Sequence, residues 1–334
     1  MMANDWTERQ DKVLSARQHV ALLLDLLNHK GINLHYVLRH TGIFYDDLIC
    51  QDVIISPAQL SRLISHISKL EQFPEISFLY GQQHLMNPVA DLSHLLFHAP
   101  TVQNMIENLV DYCELFFPLL KLSAIYDQTG VYLVDDDPYG ETGAYHLGVG
   151  DLYRRWLIES VFTAIITATN WRMEQRLNWS AKLDWSQPRW KAQYEIYWER
   201  VSFNSSMTLL HLPTEQLQLP IKNRSATLYQ VAKNAIAQPP CGLLSFVRQQ
   251  FRENQSDVPT LDQLSAMMGM SPANLKRRLK AHHSSYRSVL AQVNRQHALY
   301  LQEVKQLNDL QIAQHMQFFD VSNYRRALKR WGIV

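Results

Sequence analysis

The stretch Thr260-Leu-Asp-Gln-Leu-Ser-Ala-Met-Met-Gly-Met-Ser-Pro-Ala-Asn-Leu-Lys-Arg-Arg-Leu-Lys280 decides the fold of the C-terminal third. Thr260 and Gln263 have the spacing of a capping box, in which each side chain meets a backbone N–H at a helix start. Leu261, Leu264, Met267 and Met268 follow at helical spacing, and Gly269 ends the run. Ser271 can cap a second helix whose first residue, Pro272, has no N–H to lose. Leu275 and Leu279 lie one turn apart and face inward, which leaves Asn274, Lys276, Arg277, Arg278 and Lys280 for the surface. Helix, tight turn and basic second helix make a helix-turn-helix.

The pattern returns about 48 residues later. Ile312-Ala313 begins a similar helix, Phe318 stands where Met270 stood, and Tyr324 and Leu328 match Leu275 and Leu279. After a one-residue insertion, Arg325, Arg326 and Lys329 fall where Lys276, Arg277 and Lys280 were. A helix near 286–304 joins the two.

The charge follows this division. From Cys241 onward there are 13 Lys and Arg against 6 Asp and Glu, and before it 19 against 25. The formal net charge of +1 is a cancellation between an acidic part (−6) and a basic one (+7), and a basic part suits a polyanionic partner. Pro239-Pro240 and Gly242 cannot continue a helix, so the domains are expected at 1–235 and 243–334, with 236–242 as linker.

Two basic helix-turn-helices at this spacing resemble the DNA-binding domain of the AraC/XylS family of transcription regulators. The signature stands here as Ser271-Pro-Ala-Asn-Leu-Lys-Arg-Arg-Leu279 and Phe318-Phe-Asp-Val-Ser-Asn-Tyr-Arg-Arg-Ala-Leu-Lys-Arg-Trp331. The resemblance implies double-stranded promoter DNA as partner, with the two recognition helices in successive major-groove segments. Asn274, Lys276 and Arg277 would face the first segment and Asn323, Arg325 and Arg326 the second, with Lys280 and Lys329 better placed for phosphates. Three departures stand out. Gln317 replaces the family's usual turn glycine, Ser265 replaces a common Ala, and the sequence stops soon after Trp331.

The N-terminal part resembles, more faintly, the arabinose-binding-like effector domain of the same family. It is expected to be α+β and to precede an all-α C-terminal domain with two helix-turn-helix motifs. Helices are expected over 153–171, after Ser56-Pro57, and as one long helix from Thr101 to Phe117. A hairpin is expected over 121–127 and 130–135, with short strands at 145–149, 182–185 and 201–203. Tyr112, Phe116, Tyr145 and Trp156 are candidate walls for a small-molecule effector, with Arg155 or its neighbour Arg154 as carboxylate partner. A homodimer is expected, and RNA polymerase is a further candidate contact.

Other classes find little support. Only 11 residues are Gly, no P-loop is present, and Gly148-Val-Gly-Asp-Leu-Tyr153 lacks the third glycine of a dinucleotide fingerprint. Cys50, Cys113 and Cys241 form no CxxC pair and read as reduced thiols in buried, small-hydrophobe positions. His94 and His98 are four apart without the rest of a zinc motif, so no metal, cofactor or catalytic residue is expected. Asp135-Asp-Asp137 reads as a solvated turn, and His282-His283 as a phosphate neighbour. The N-terminus carries no secretory signal and no run is long enough to span a membrane, so a cytoplasmic location is expected. The alternatives are a regulator governed by a protein partner, with a vestigial pocket, or a cysteine-dependent DNA-repair enzyme carrying the same module.

Overall fold

The computed structural model describes residues 6–50, 53–85, 90–141, 149–237, 241–254 and 257–333. Its first part is mixed α/β: β1 (Trp6–Thr7), β2 (Leu14–Ser15), α1 (Ala16–His29), α2 (Leu34–Leu38), α3 (Tyr45–Cys50), β3 (Ile54–Ile55), α4 (Pro57–Ile67), α5 (Ile76–His84), α6 (Ala90–Phe97), α7 (Val102–Asp111), α8 (Cys113–Phe116), β4 (Lys121–Asp127), β5 (Gly130–Asp136), α9 (Val149–Met173), β6 (Ser180–Lys182), α10 (Lys191–Tyr197), β7 (Val201–Ser202), β8 (Leu209–Pro213), α11 (Thr214–Leu217), α12 (Ala226–Ala235) and β9 (Cys241–Gly242). The rest is all-α: α13 (Leu243–Glu253), α14 (Leu261–Met267), α15 (Pro272–Ala281), α16 (Tyr286–Glu303), α17 (Asp309–His315) and α18 (Val321–Trp331). Among the described residues no helix is long and apolar enough to cross a membrane.

A five-stranded sheet in the order β4-β5-β8-β6-β7 organises both parts. Side chains alternate across a strand, so β5 offers Val131 and Leu133 to one face and Tyr132 and Val134 to the other. Both faces are buried. Val131 and Leu133 join the core of the first part, where α9 packs closely on α5. Gly81 allows that approach, because a Cβ there would sit 2.1 Å from the carbonyl oxygen of Ser160. Tyr132 and Val134, with Met207 and Leu209, instead join Leu299, Leu301, Ile312, Tyr324 and Leu328 in a second cluster. The second helix-turn-helix therefore shares its core with the sheet of the N-terminal part.

The first helix-turn-helix is tied differently. β1 pairs in parallel with β9, matching Trp6 to Cys241, and Trp6 packs in a third cluster with Leu243, Leu244 and Val247. Residues 6 and 7, expected in the N-terminal unit, thus pack with the C-terminal helices.

The hairpin forms over β4 and β5, and Thr101 and Ser56 cap their helices. Three expectations change. The single helix from Thr101 to Phe117 breaks at Tyr112 (φ −107°, ψ 14°), where the Lys121 ammonium takes the carbonyls of Val110 and Asp111 at 2.9 and 3.5 Å. Val149 opens α9 instead of closing a strand, and residues 145–148 lie outside those described. The later short strands fall at β6 and β7, shifted toward the N-terminus in the first case.

Candidate nucleic-acid interface

The two helix-turn-helices are built alike. Thr260 and Gln263 form their reciprocal capping box, and Asn308 and Gln311 form a second at the corresponding place, which starts α17 earlier than Ile312 suggests. Both turns make the same hydrogen bonds: Met270 N to Ser265 O at 2.9 Å, and Phe318 N to Ala313 O at 2.8 Å. Gly269 has φ +63° and Gln317 φ +58°, so the glutamine adopts the left-handed conformation that glycine takes freely.

Each recognition helix is then set by its cap. Ser271 accepts from Asn274 N at 3.3 Å, and Asp320 accepts from Asn323 N at 2.6 Å. The arginine one turn further on donates back to that asparagine: Arg277 to Asn274 Oδ1 at 3.1 Å, Arg326 to Asn323 Oδ1 at 2.6 Å. Leu275, Leu279, Tyr324 and Leu328 are buried, while Lys276, Arg277, Lys280, Arg325, Arg326 and Lys329 are exposed and Asn274 and Asn323 half-buried. Two Asn–Arg pairs at equivalent positions, flanked by cations, can donate to base edges and phosphates. Arg325 also meets Asp309 at 2.7 Å, an exposed pair that a phosphate can displace.

Several side chains serve the boundary between the two parts instead. Arg278 turns away from the recognition surface to pair with Glu8. His282 is fully buried and its Nδ1 donates to Tyr139 O at 3.0 Å, with burial lowering its pKa to about 4. It is a domain contact, not a phosphate neighbour; His283 is exposed and lies against Arg9. The acid run is no solvated turn. Asp135 receives Arg154 bidentately at 2.9 Å, and Arg154 also holds Asp184. Asp136 receives Arg252 at 2.6 Å and Arg248 at 3.7 Å, while Asp137 accepts from the Tyr139 and Gly140 amides. Asp136 is satisfied by arginines more than a hundred residues away and Asp135 by one on the following helix, pairings that no local pattern announces. On the other strand, Asp127 accepts from Tyr300 and Lys305 at 3.1 and 2.8 Å.

Of the expected effector walls, the three described are buried in the core of the first part. Tyr112 and Phe116 are core residues, and the Phe116 carbonyl accepts from His84. Trp156 is buried against Tyr80, and Tyr145 lies outside the described residues. Arg154 is taken by its two aspartates. Arg155 lies between the rings of Trp185 and Trp190, 5.4 and 5.8 Å from their centroids, and its Nε is buried without a hydrogen-bond partner. One turn on, Glu159 accepts from Ser77 and Tyr194, and burial raises its carboxyl to about 7.

Of the cysteines only Cys113 is fully buried, with its thiol pushed up to about 12; Cys50 is exposed, contrary to expectation. His98 accepts from the Ser225 amide at 3.0 Å, and among the described residues no three His, Cys, Asp or Glu gather as a metal site.

Residues 31–221 match the family model described as the arabinose-binding domain of AraC transcription regulator, N-terminal. The ornithine utilization regulator of Pseudomonas aeruginosa is 28% identical over 143 residues, covering 41% of this chain and 42% of that one. The match thus spans less than half the length of this curated relative. The crystal structure of the transcriptional regulator CdpR from Pseudomonas aeruginosa aligns over 92% of this chain and 93% of its own, at 18% identity and a TM-score of 0.42. The family model covers more than half of the 334 residues, and the chain therefore belongs to the AraC family, through its arabinose-binding-type N-terminal domain.

Proposed function

We propose that the protein is a sequence-specific DNA-binding transcription regulator whose hold on promoter DNA responds to a small molecule in the N-terminal domain. One observation carries this reading. The same Asn–Arg pair stands three and six residues past the cap on two recognition helices, each with exposed cations beside it. Arg277 and Arg326 are assigned to guanine edges, Asn274 and Asn323 to adenine, Lys276 and Arg325 to the groove rim, and Lys280 and Lys329 to phosphates. The functional units in this reading are 1–235, a linker at 236–242 and 243–334, with residues 6–9 strapped across to the last.

The effector is assigned to the neighbourhood of Arg155, whose guanidinium between two indoles suits a ligand carboxylate. Its neighbour Arg154 braces Asp135, and the next residue, Asp136, holds the C-terminal helices. A ligand that shifts α9 would therefore act on the docking of the DNA-binding part, provided that it binds the two arrangements unequally. A homodimer through the N-terminal part is included. Phe44 is about two-thirds exposed and borders a hollow with Arg39, Arg62 and Asp46, charges of both signs that a two-fold axis can pair.

The test is a binding titration of the full chain on duplexes it selects from a random pool. Tight binding that falls steeply with salt, and is much weaker on unrelated duplex, is the expected result. Equal affinity for every duplex contradicts it.

A further inference from the structure

The two turns differ by one residue. In the first, Gly269 and Met270 lead directly to the cap Ser271. In the second, Gln317 and Phe318 are followed by Phe319 before the cap Asp320. Phe318 turns inward, with its ring 5.5 Å from that of Tyr324 and 6.1 Å from that of Trp331. Phe319 is the added residue, and it is 95% exposed, more than any other large apolar side chain described. Together with Gln317, Asn323, Arg326 and Arg330 it borders a groove of about 640 Å³ beside the first turns of α18.

A benzyl group held in water gains by covering its apolar surface, so the position suits a partner with an apolar spot. The surroundings say which kind. Arg326 and Arg330 are cations and Asn323 an amide, so that spot must lie among anions and hydrogen-bonding edges. The major groove has this composition, because the thymine C5-methyl is its apolar feature and phosphates flank it. The N-terminal end of a recognition helix is also the part that approaches base edges.

We propose that Phe319 reads a thymine through its C5-methyl group, adding an apolar contact from a position that has no counterpart in the first helix-turn-helix. This rests on the DNA-binding reading above. It makes the two half-motifs unequal, because the second carries an exposed aromatic ring at its turn and the first does not.

The experiment uses the full chain and the duplex that it selects from a random pool. Each thymine is replaced in turn by deoxyuridine, which pairs identically and lacks only the methyl. One position is expected to cost about three- to fivefold in affinity, the value of one buried methyl. Phe319→Ala is expected to lose the same factor on the thymine duplex and to show no further loss with uracil at that position. Because the ring is exposed, the variant should keep its thermal midpoint. A flat uracil scan overturns the proposal, as does a uracil penalty that persists in Phe319→Ala. Unchanged DNA binding by Phe319→Ala with lost transcriptional output also overturns it, by giving the ring to a protein partner. Failure of the chain to select any duplex overturns the DNA-binding reading itself, and is distinct from these outcomes.

Discussion

Arg252 in α13 holds Asp136, at the end of β5, at 2.6 Å across the boundary between the two parts of the molecule. Arg248, one turn earlier, lies 3.7 Å from the same carboxylate and donates to the Asp137 carbonyl at 2.5 Å. Both Arg248 and Asp136 have side chains less than a tenth exposed. Removing one partner of a buried pair leaves the other charge uncompensated, which costs about 3–5 kcal/mol. Asp136→Ala is therefore expected to loosen the docking of α13 on the sheet. Limited proteolysis in the linker should accelerate, and thermal unfolding should separate into two steps.

Gln317 and Gly269 give a paired test of backbone strain. A left-handed conformation costs an L-residue about 1 kcal/mol or more, and glycine escapes it. Gln317→Gly is expected to stabilise the C-terminal part by about 1 kcal/mol in denaturant unfolding. Gly269→Ala should destabilise by a similar amount, and purely through the backbone, since a Cβ there meets nothing within 4 Å.

Stability should decline in mild acid. Burial holds His282 and His84 down to about 4, and His19 to about 3. Between the ordinary value of 6.5 and about 4, the unfolded chain binds protons that the folded chain refuses. Their contribution is complete above 6.5 and is lost as the pH falls through that window. Glu159 acts oppositely: its carboxyl, raised to about 7, stays protonated in the fold above 4.5, so its contribution fades as the pH rises toward 7. Denaturant midpoints should fall as the pH is lowered from 6.5 toward 4, and His282→Gln should remove about one proton from the uptake on unfolding.

The helix-turn-helices were legible because every signal for them is local. Thr260 and Gln263, Ser271 with Pro272, and the Leu275–Leu279 spacing each lie within one or two turns, and the structure keeps all of them. The alternation of β5 likewise announced a strand. It did not announce that Tyr132 and Val134 would be covered too, because the cover comes from α16 to α18, far along the chain. Asp135-Asp-Asp137 was misread for the same reason. Three acids before Pro138 suit a solvated turn equally well; Asp136 becomes structural only with Arg248 and Arg252 from far along the chain, and Asp135 only with Arg154 from α9. The effector residues were least legible. Aromatic side chains at helical spacing pack a core by the same pattern that would wall a pocket, and Tyr112, Phe116 and Trp156 do so.

The central claim is that Arg277 and Arg326 read DNA from equivalent places on two recognition helices. The direct measurement is the affinity of the full chain for its selected duplex after Arg277→Ala, Arg326→Ala and both together. Each single change is expected to cost about 1–3 kcal/mol and the pair roughly the sum, with folding unaltered because both side chains are exposed. Unchanged affinity in the double variant would contradict it.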